Sequence, residues 1–216
     1  MKLQNCLLAF AGVLTLMVVT PAAGQAFFFP DYALPSANGS STTFMAATYG
    51  RGLNDVSQKV NAFAGTVGRT MKRVSFKAGG GYTRRLDRWT VGGSAGFDLI
   101  NNVDSSVQLT FQGGLGWISY DVLGETLTNL RFPVGLALKG HLGGSGVQIA
   151  PWVMPRLNLV QVSIAGISDM FWDFGVSGGV AITGQRGFGI HTAVDYLADG
   201  TNPIVFSVGT HYVLGR

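Results

Sequence analysis

Residues 89–99, WTVGGSAGFDL, alternate between two kinds of side chain at every step. In an extended strand, one face would carry Trp89, Val91, Gly93, Ala95, Phe97 and Leu99. The other face would carry Thr90, Gly92, Ser94, Gly96 and Asp98. A period of two indicates a β-strand, because successive side chains point to opposite faces. The stretch therefore predicts a strand that is apolar on one side and sparsely polar on the other.

The same alternation recurs on both sides of this stretch. It is clear in residues 74–83, 106–117, 130–142, 147–160, 172–183, 188–197 and 204–214, and weaker in residues 42–51 and 59–68. Most of these runs are separated by short segments that contain Gly, Asn, Asp or Ser, which are typical of turns. We therefore predict an all-β protein of ten antiparallel strands, or of eight if the two weak segments fail.

Strand length and charge favour a transmembrane barrel over a soluble one. Soluble strands average about five or six residues, whereas roughly 9–11 residues cross a bilayer when the strand is tilted. The runs here span 10–14 residues, and only 12% of the chain is charged, about half the share usual in soluble domains. An up-and-down transmembrane β-barrel explains both features, because its apolar side chains face lipid. A soluble periplasmic barrel is the alternative.

Charged residues within the strands should face the interior of such a barrel. A charge that faces lipid at mid-membrane costs about 2–4 kcal/mol, which an inward position avoids. The predicted interior polar network consists of Lys77, Asp98, Arg131, Lys139, Arg156, Asp173, His191, Asp195 and His211. Basic and acidic members are nearly balanced, so we expect paired side chains that fill the interior. A narrow polar channel is the alternative.

Aromatic residues gather at one end of the predicted strands. If the first strand rises from the periplasm, the extracellular ends carry Tyr49, Tyr82, Trp89, Trp117, Tyr120, Trp172 and Tyr196. Aromatic rings at one level form a girdle at the membrane interface. We expect short periplasmic turns at 68–72, 101–105, 143–146 and 184–187, and slightly longer extracellular loops at 51–59, 84–88, 121–128, 165–169 and 198–203.

The N-terminal segment predicts export. Met1 and Lys2 precede an apolar run over residues 6–20, and PAAGQA follows it, so we expect a signal peptide over residues 1–26 that is read by the Sec pathway. Residues 27–41 would form an extended lead-in, and residues 42–216 the barrel domain. The single cysteine, Cys6, lies within the signal peptide. The mature chain therefore offers no thiol chemistry and no disulfide.

Three prolines lie inside predicted strands. Pro133, Pro151 and Pro155 each lack the N–H that a ladder hydrogen bond requires. Two of them fall in residues 147–160. We therefore expect a β-bulge in that strand.

No residue pattern indicates catalysis. Residues 92–96 and 175–179 match G-x-S-x-G, but both lie within strands rather than at the strand-to-helix turn that this motif requires. His191, Asp195, Ser207 and His211 share a face, with His191 expected opposite His211 and Asp195 opposite Ser207. His191 and Asp195 would then lie about 13 Å apart, too far for a hydrogen-bonded Ser–His–Asp chain. The two histidines lack a third metal ligand. We expect no catalytic residue, metal or cofactor.

The pattern resembles the small outer-membrane β-barrels of Gram-negative bacteria, the OmpA/OmpX/OmpW-like group. The resemblance rests on the signal peptide, on WTVGGSAGFDL, on MFWDFGVSGGVAIT (170–183) and on PIVFSVGTHYVLGR (203–216). It implies insertion by the barrel-assembly machinery into the bacterial outer membrane. It also implies roles in envelope integrity, adhesion or small-solute passage.

The partners that we expect are outer-membrane lipid and lipopolysaccharide, whose phosphates suit the basic cluster Arg84, Arg85 and Arg88. Nucleic acid is not expected, because a net charge of +4 is mild and scattered. The sequence leaves the oligomeric state open. We expect a non-enzymatic envelope or surface-interaction protein. A channel for small solutes or hydrophobic molecules is the first rival, and a lipid-modifying enzyme is the second.

Overall fold

The computed structural model describes residues 41–54, 61–84, 88–100, 106–122, 124–144, 146–198 and 202–214. The predicted signal peptide and, apart from Ser41, the predicted lead-in lie outside the described residues. No helix in the described part of the chain is long and apolar enough to cross a membrane.

The described residues form eleven strands that follow one another along the chain. They are β1 (Thr42–Gly52), β2 (Asn61–Met71), β3 (Val74–Thr83), β4 (Arg88–Ile100), β5 (Val107–Val122), β6 (Glu125–Gly140), β7 (Leu142–Gly143), β8 (Val147–Ile164), β9 (Ile167–Gly184), β10 (Phe188–Ala198) and β11 (Ile204–Leu214). The two-residue β7 continues the line of β6. Ten long strands therefore build the sheet, as predicted, and both weak segments are strands.

The sheet closes on itself. Each long strand pairs antiparallel with its neighbours in the chain, β1 pairs with β11, and β6 pairs with β8 across the short β7. Closure removes the unpaired edges that an open sheet would present. The predicted up-and-down barrel is therefore confirmed. We call the end that carries Thr42 and Leu214 the periplasmic end, and the opposite end the extracellular end.

The strands are strongly tilted, because rows of paired residues climb around the barrel. One row runs through Leu214, Thr43, Arg69, Phe76, Ala95, Gly113, Val134, Leu157, Phe174 and Ala198. It begins at the periplasmic end of β11 and finishes at the extracellular end of β10. Residues 167–173 of β9 lie beyond Ala198, so the β8–β9 hairpin projects past β10.

The barrel is apolar outside and polar inside. Trp89, Trp172 and Phe188 are 69%, 66% and 59% exposed on the outer face. Among the described residues, buried polar and charged side chains outnumber buried apolar ones, and they include Arg131, Arg156 and Asp173. A soluble barrel would need the opposite arrangement. The apolar exterior requires lipid around it, and this chain is an integral outer-membrane β-barrel protein.

The prolines interrupt the ladder without shifting its register. Pairing between β5 and β6 skips Gly114 and Leu115, which lie opposite Phe132 and Pro133, and resumes in the same register. Pairing between β6 and β8 skips in the same way beside Pro155, and the break between β6 and β7 lies opposite Pro151. The predicted bulge in residues 147–160 is therefore wrong, because a missing N–H leaves a gap and inserts no residue.

The one register shift printed for the ladder lies elsewhere, between Asp98 and Ile100 in the pairing of β4 with β5. Leu99 is the extra residue there. Both Leu99 and Ile100 are exposed on the outer face, at 48% and 45%. The bulge therefore lets two consecutive apolar side chains face outward at the periplasmic end.

Two extracellular loops are shorter than predicted. Strand structure extends to Val122 and resumes at Glu125, and it extends to Ile164 and resumes at Ile167, so the loops expected at 121–128 and 165–169 are wrong. Ala165 and Gly166 both have positive φ angles, of 49° and 80°. This is the pattern of a two-residue turn whose twist matches that of the flanking strands, and it allows both strands to continue up to the turn.

Candidate functional site

The structure places all nine predicted interior residues on the inner face of the barrel. Asp98, Arg131, Lys139, Arg156, Asp173, His191 and His211 are buried, and Lys77 and Asp195 are half-buried. They do not form one group. Strand register separates them into a central ion-pair cluster, a histidine pair and a polar network near the periplasmic end.

The central cluster joins Arg156, Ser177 and Asp195 from three neighbouring strands. Arg156 Nη2 lies 2.5 Å from Asp195 Oδ1, and Arg156 Nη1 donates to Ser177 Oγ. Ser177 Oγ donates in turn to Asp195 Oδ1 at 3.0 Å. Ser177 faces Asp195 across the β9–β10 ladder, and Arg156 reaches them over Gly175. A buried guanidinium needs such partners, because an unpaired charge in the interior is strongly unfavourable.

The cluster uses the serine of the second G-x-S-x-G match, but not in a catalytic arrangement. Ser177 is hydrogen-bonded to an arginine and an aspartate, and it lies within a continuous strand. His191 lies four residues along β10 from Asp195, about 13 Å away at roughly 3.3 Å per residue. Ser207 Oγ donates to the carbonyl of Ala193 at 3.4 Å.

The histidine pair spans the β10–β11 ladder. The Nδ1 atoms of His191 and His211 are 3.4 Å apart, and the ring centroids are 5.6 Å apart. His191 Nε2 shares a hydrogen bond of 3.0 Å with Thr48 Oγ1, and His211 Nε2 shares one of 2.9 Å with Thr183 Oγ1. The pair thus links β1, β10, β11 and β9 through the interior.

The register predicted for this hairpin is wrong by two residues. His191 pairs with Gly209 and His211 with Gly189, while Asp195 pairs with Val205. Each ring therefore lies over a glycine of the neighbouring strand, where a Cβ atom would collide with it; at Gly209 it would lie 2.5 Å from His191 Nε2. Among the described residues, no group of three His, Cys, Asp or Glu side chains is placed to hold a metal ion.

The periplasmic network is richer in amides than the sequence analysis recognised. Lys77 Nζ donates to Gln112 Oε1 at 3.3 Å, and Thr110 Oγ1 donates to Asp98 Oδ1 at 2.7 Å. His141 shares hydrogen bonds of 3.2 Å with both Gln108 and Gln148. Lys77, Asp98, Gln108, Gln112 and Lys139 help to line a cavity of about 30 Å³, which has room for about one water molecule. The inward parity of the glutamines was the available signal.

Large apolar side chains also occupy the interior. Phe44, Trp152 and Met154 are 2%, 5% and 1% exposed and belong to one buried cluster. A second cluster nearer the extracellular end joins Ile118, Leu127, Val160 and Val162, with Phe171 packed against it. The sequence analysis assigned apolar residues to the lipid face, so it missed both clusters.

The predicted aromatic girdle lies on the outer face. Trp89, Trp117 and Trp172 are exposed, and Tyr49, Tyr82 and Tyr196 are half-buried at outward positions. The side chain of Tyr120 lies outside the described part of the structure. Tyr49 and Tyr196 anchor their hydroxyls on Asn61 and Asn202, at 2.9 and 3.1 Å. Four rings on neighbouring strands, Tyr49, Phe63, Tyr82 and Trp89, follow one another in register.

Neither a protein-family model nor a curated protein sequence matches this chain. Several solved structures are similar in fold. The N-terminal β-barrel domain of Pseudomonas aeruginosa OprF is 13% identical, with 80% of this chain and 97% of that one covered and a TM-score of 0.38. The translocator domain of the autotransporter NalP from Neisseria meningitidis is 11% identical, with 96% and 97% covered and a TM-score of 0.45. Neisserial surface protein A is 13% identical, with 80% and 95% covered and a TM-score of 0.40.

Proposed function

We propose that this outer-membrane barrel is non-enzymatic and acts at the cell surface through its projecting hairpins. The observation that carries the proposal is the filled interior, because it leaves the outer and extracellular surfaces as the places where partners can bind. Barrels of eight to ten strands have little internal space once their side chains are packed.

The filling is continuous from one end of the interior to the other. The periplasmic third holds the amide network and the cluster around Trp152, the middle holds the Arg156 cluster, and the extracellular part holds the cluster around Val160. Arg156 is bound on two sides, by Ser177 and Asp195. A conducting path would require these contacts to open.

The projecting β8–β9 hairpin offers an exposed surface for contact. Residues 167–173 of β9 extend beyond the end of β10, which is about 23 Å of strand at roughly 3.3 Å per residue. Ile167 and Met170 are 47% and 57% exposed there. Exposed apolar side chains on a projecting element commonly mark an interaction surface.

A complementation experiment tests this proposal. A strain that lacks the protein is assayed for sensitivity to vancomycin and detergent, and it is complemented with the wild type, with Ile167→Ser/Met170→Ser or with Leu53→Ser. Leu53 is 52% exposed beyond β1, outside the hairpin, and serves as the matched control. We expect the wild type and L53S to restore resistance and the hairpin variant to fail, with an unchanged heat-dependent gel shift for all three. Equal restoration by all three would contradict the surface role.

Bilayer conductance and lipid analysis test the two rivals. We expect refolded protein to give no ohmic steps, since the interior contacts leave no continuous path. We also expect lipid A and phospholipid profiles to stay unchanged on overexpression. Reproducible conductance steps would favour a channel, and a new lipid species would favour an enzyme.

A further inference from the structure

An apolar groove crosses the outer wall of the barrel beneath the row of four aromatic rings. It has a volume of about 490 Å³ and runs over β11, β1, β2, β3 and β4. Its floor includes Ala47, Gly65 and Gly80, whose small side chains lower the surface between bulkier neighbours. Its volume lies in the range of about 300–1,000 Å³ that is typical of small-molecule sites.

The floor and the aromatic row are parallel rows of the same ladder. Ala47 pairs with Gly65, and Gly65 pairs with Gly80. Two residues nearer the extracellular end, Tyr49 pairs with Phe63, Phe63 with Tyr82, and Tyr82 with Trp89. The Tyr49–Phe63 and Tyr82–Trp89 ring centroids are 5.2 and 5.0 Å apart. The rings therefore form one continuous upper wall, at the level where aromatic side chains meet the membrane interface.

Two arginines lie above this wall. Arg51 and Arg84 each follow a tyrosine of the row by two residues, and both are exposed. At the outward positions of β11 and β1–β4 that the structure describes, no Asp or Glu occurs. From the extracellular end downward, the surface therefore presents positive charge, then aromatic rings, then an apolar recess.

We propose that this groove seats an acyl chain of a phosphorylated glycolipid of the outer leaflet, with its phosphates beside Arg51 and Arg84. The order of charge, rings and recess matches the order of phosphate, interface and acyl chain in such a lipid. Arginine is suited to the phosphates because its guanidinium presents several donors in a planar fork. A zwitterionic phospholipid fits the two arginines less well, since its amine carries a compensating positive charge.

A second copy of the barrel is a poorer occupant. Barrel walls are convex, so the aromatic rings of one copy would meet the other before its wall reached the recessed floor. A symmetric contact would also bring the arginines of the two copies together. The inference rests on the position of the barrel in the outer membrane and not on the proposed surface role, so each can fail without the other.

Filling the floor provides the sharpest test. A Cβ atom at Gly65 would meet nothing within 4 Å, so Gly65→Leu adds a side chain to the groove without a clash in the barrel. Gly113→Leu is the matched control, since position 113 lies outside the groove and its Cβ would meet only the Pro133 carbonyl, at 3.9 Å. Ala47→Leu fills the same floor from β1 and serves if G65L does not fold.

Native mass spectrometry of the detergent-solubilised full chain measures binding of bis-phosphorylated lipid A, dephosphorylated lipid A and phosphatidylethanolamine. We expect the wild type and G113L to bind one bis-phosphorylated lipid A, and G65L and A47L to bind it about tenfold more weakly. Arg51→Gln/Arg84→Gln should lose most of the preference for the phosphorylated form, by about fivefold.

Three results would overturn the inference. The first is equal binding of lipid A by the wild type and by both floor variants. The second is equal binding of phosphatidylethanolamine and bis-phosphorylated lipid A by the wild type. The third is a dimer that the floor variants abolish, which would assign the groove to a second copy.

Discussion

The Arg156–Asp195 ion pair should dominate the stability of the barrel interior. Asp195→Asn keeps an acceptor for Ser177 but removes the negative charge that lies 2.5 Å from Arg156 Nη2. The two side chains are 2% and 14% exposed, so water cannot readily replace the lost partner. Removal of one member of a buried pair typically costs 3–5 kcal/mol, because the other charge stays buried and uncompensated. We expect D195N to lower the free energy of unfolding by about 3 kcal/mol.

Urea unfolding in lipid vesicles, followed by tryptophan fluorescence and the heat-dependent gel shift, measures this effect. The double variant Arg156→Met/Asp195→Leu is the essential comparison, since it removes both charges and should regain most of the lost stability. Asp169→Asn is the matched control, because Asp169 is exposed at the extracellular end and its carboxylate accepts from the Met170 N–H. If D195N unfolds like the wild type, the cluster is hydrated and the interior is not sealed at this level.

Three further predictions concern the wall and its ladder. Gly189→Ala should destabilise the barrel by about 1–3 kcal/mol in the same urea assay, because a Cβ there overlaps the His211 ring and the Ile182 carbonyl; stability equal to the wild type would refute the packing of histidine over glycine. Leu115→Arg, at a lipid-facing position that is 46% exposed, should cost about 2–4 kcal/mol, whereas Leu53→Arg beyond β1 should cost little. Pro155→Val supplies the missing N–H, so hydrogen exchange should slow at residues 136–137 and 154–155 while the register is unchanged; a shifted register would contradict the reading of the gap.

The strands could be predicted from sequence because each carries its own alternation. Residues 89–99 repeat the period without interruption, and the structure extends them by one residue at each end, to Arg88–Ile100. Hairpin ends were harder, because Asp, Gly, Thr and Ser in residues 121–128 and 165–169 suggest loops. Two-residue turns at the hairpin tips let these same residues continue as strands. Composition therefore gave the strands but misjudged the projecting hairpins.

The interior site was only partly predictable, because parity fixes the face of a residue and not its neighbour. His191 and His211 were correctly assigned to the inner face, but the parity of the strands permits any even shift, and the predicted pairing was wrong by two residues. The inward position of Phe44 and Trp152 was also missed, because an apolar side chain fits either face of a barrel wall. Packing decides such cases, and packing involves strands far apart in sequence.

The abundance of glycine has a structural reason that links the interior to the proposed role. Arg156 extends over Gly175, His191 over Gly209, His211 over Gly189 and Phe44 over Gly68, so a large inward side chain on one strand faces a glycine on the next. Each glycine gives its large neighbour the space that a Cβ would occupy. Because large and small residues alternate around the barrel, side chains can lie across the interior and close it. A barrel closed in this way has its outer wall and its extracellular hairpins available for binding.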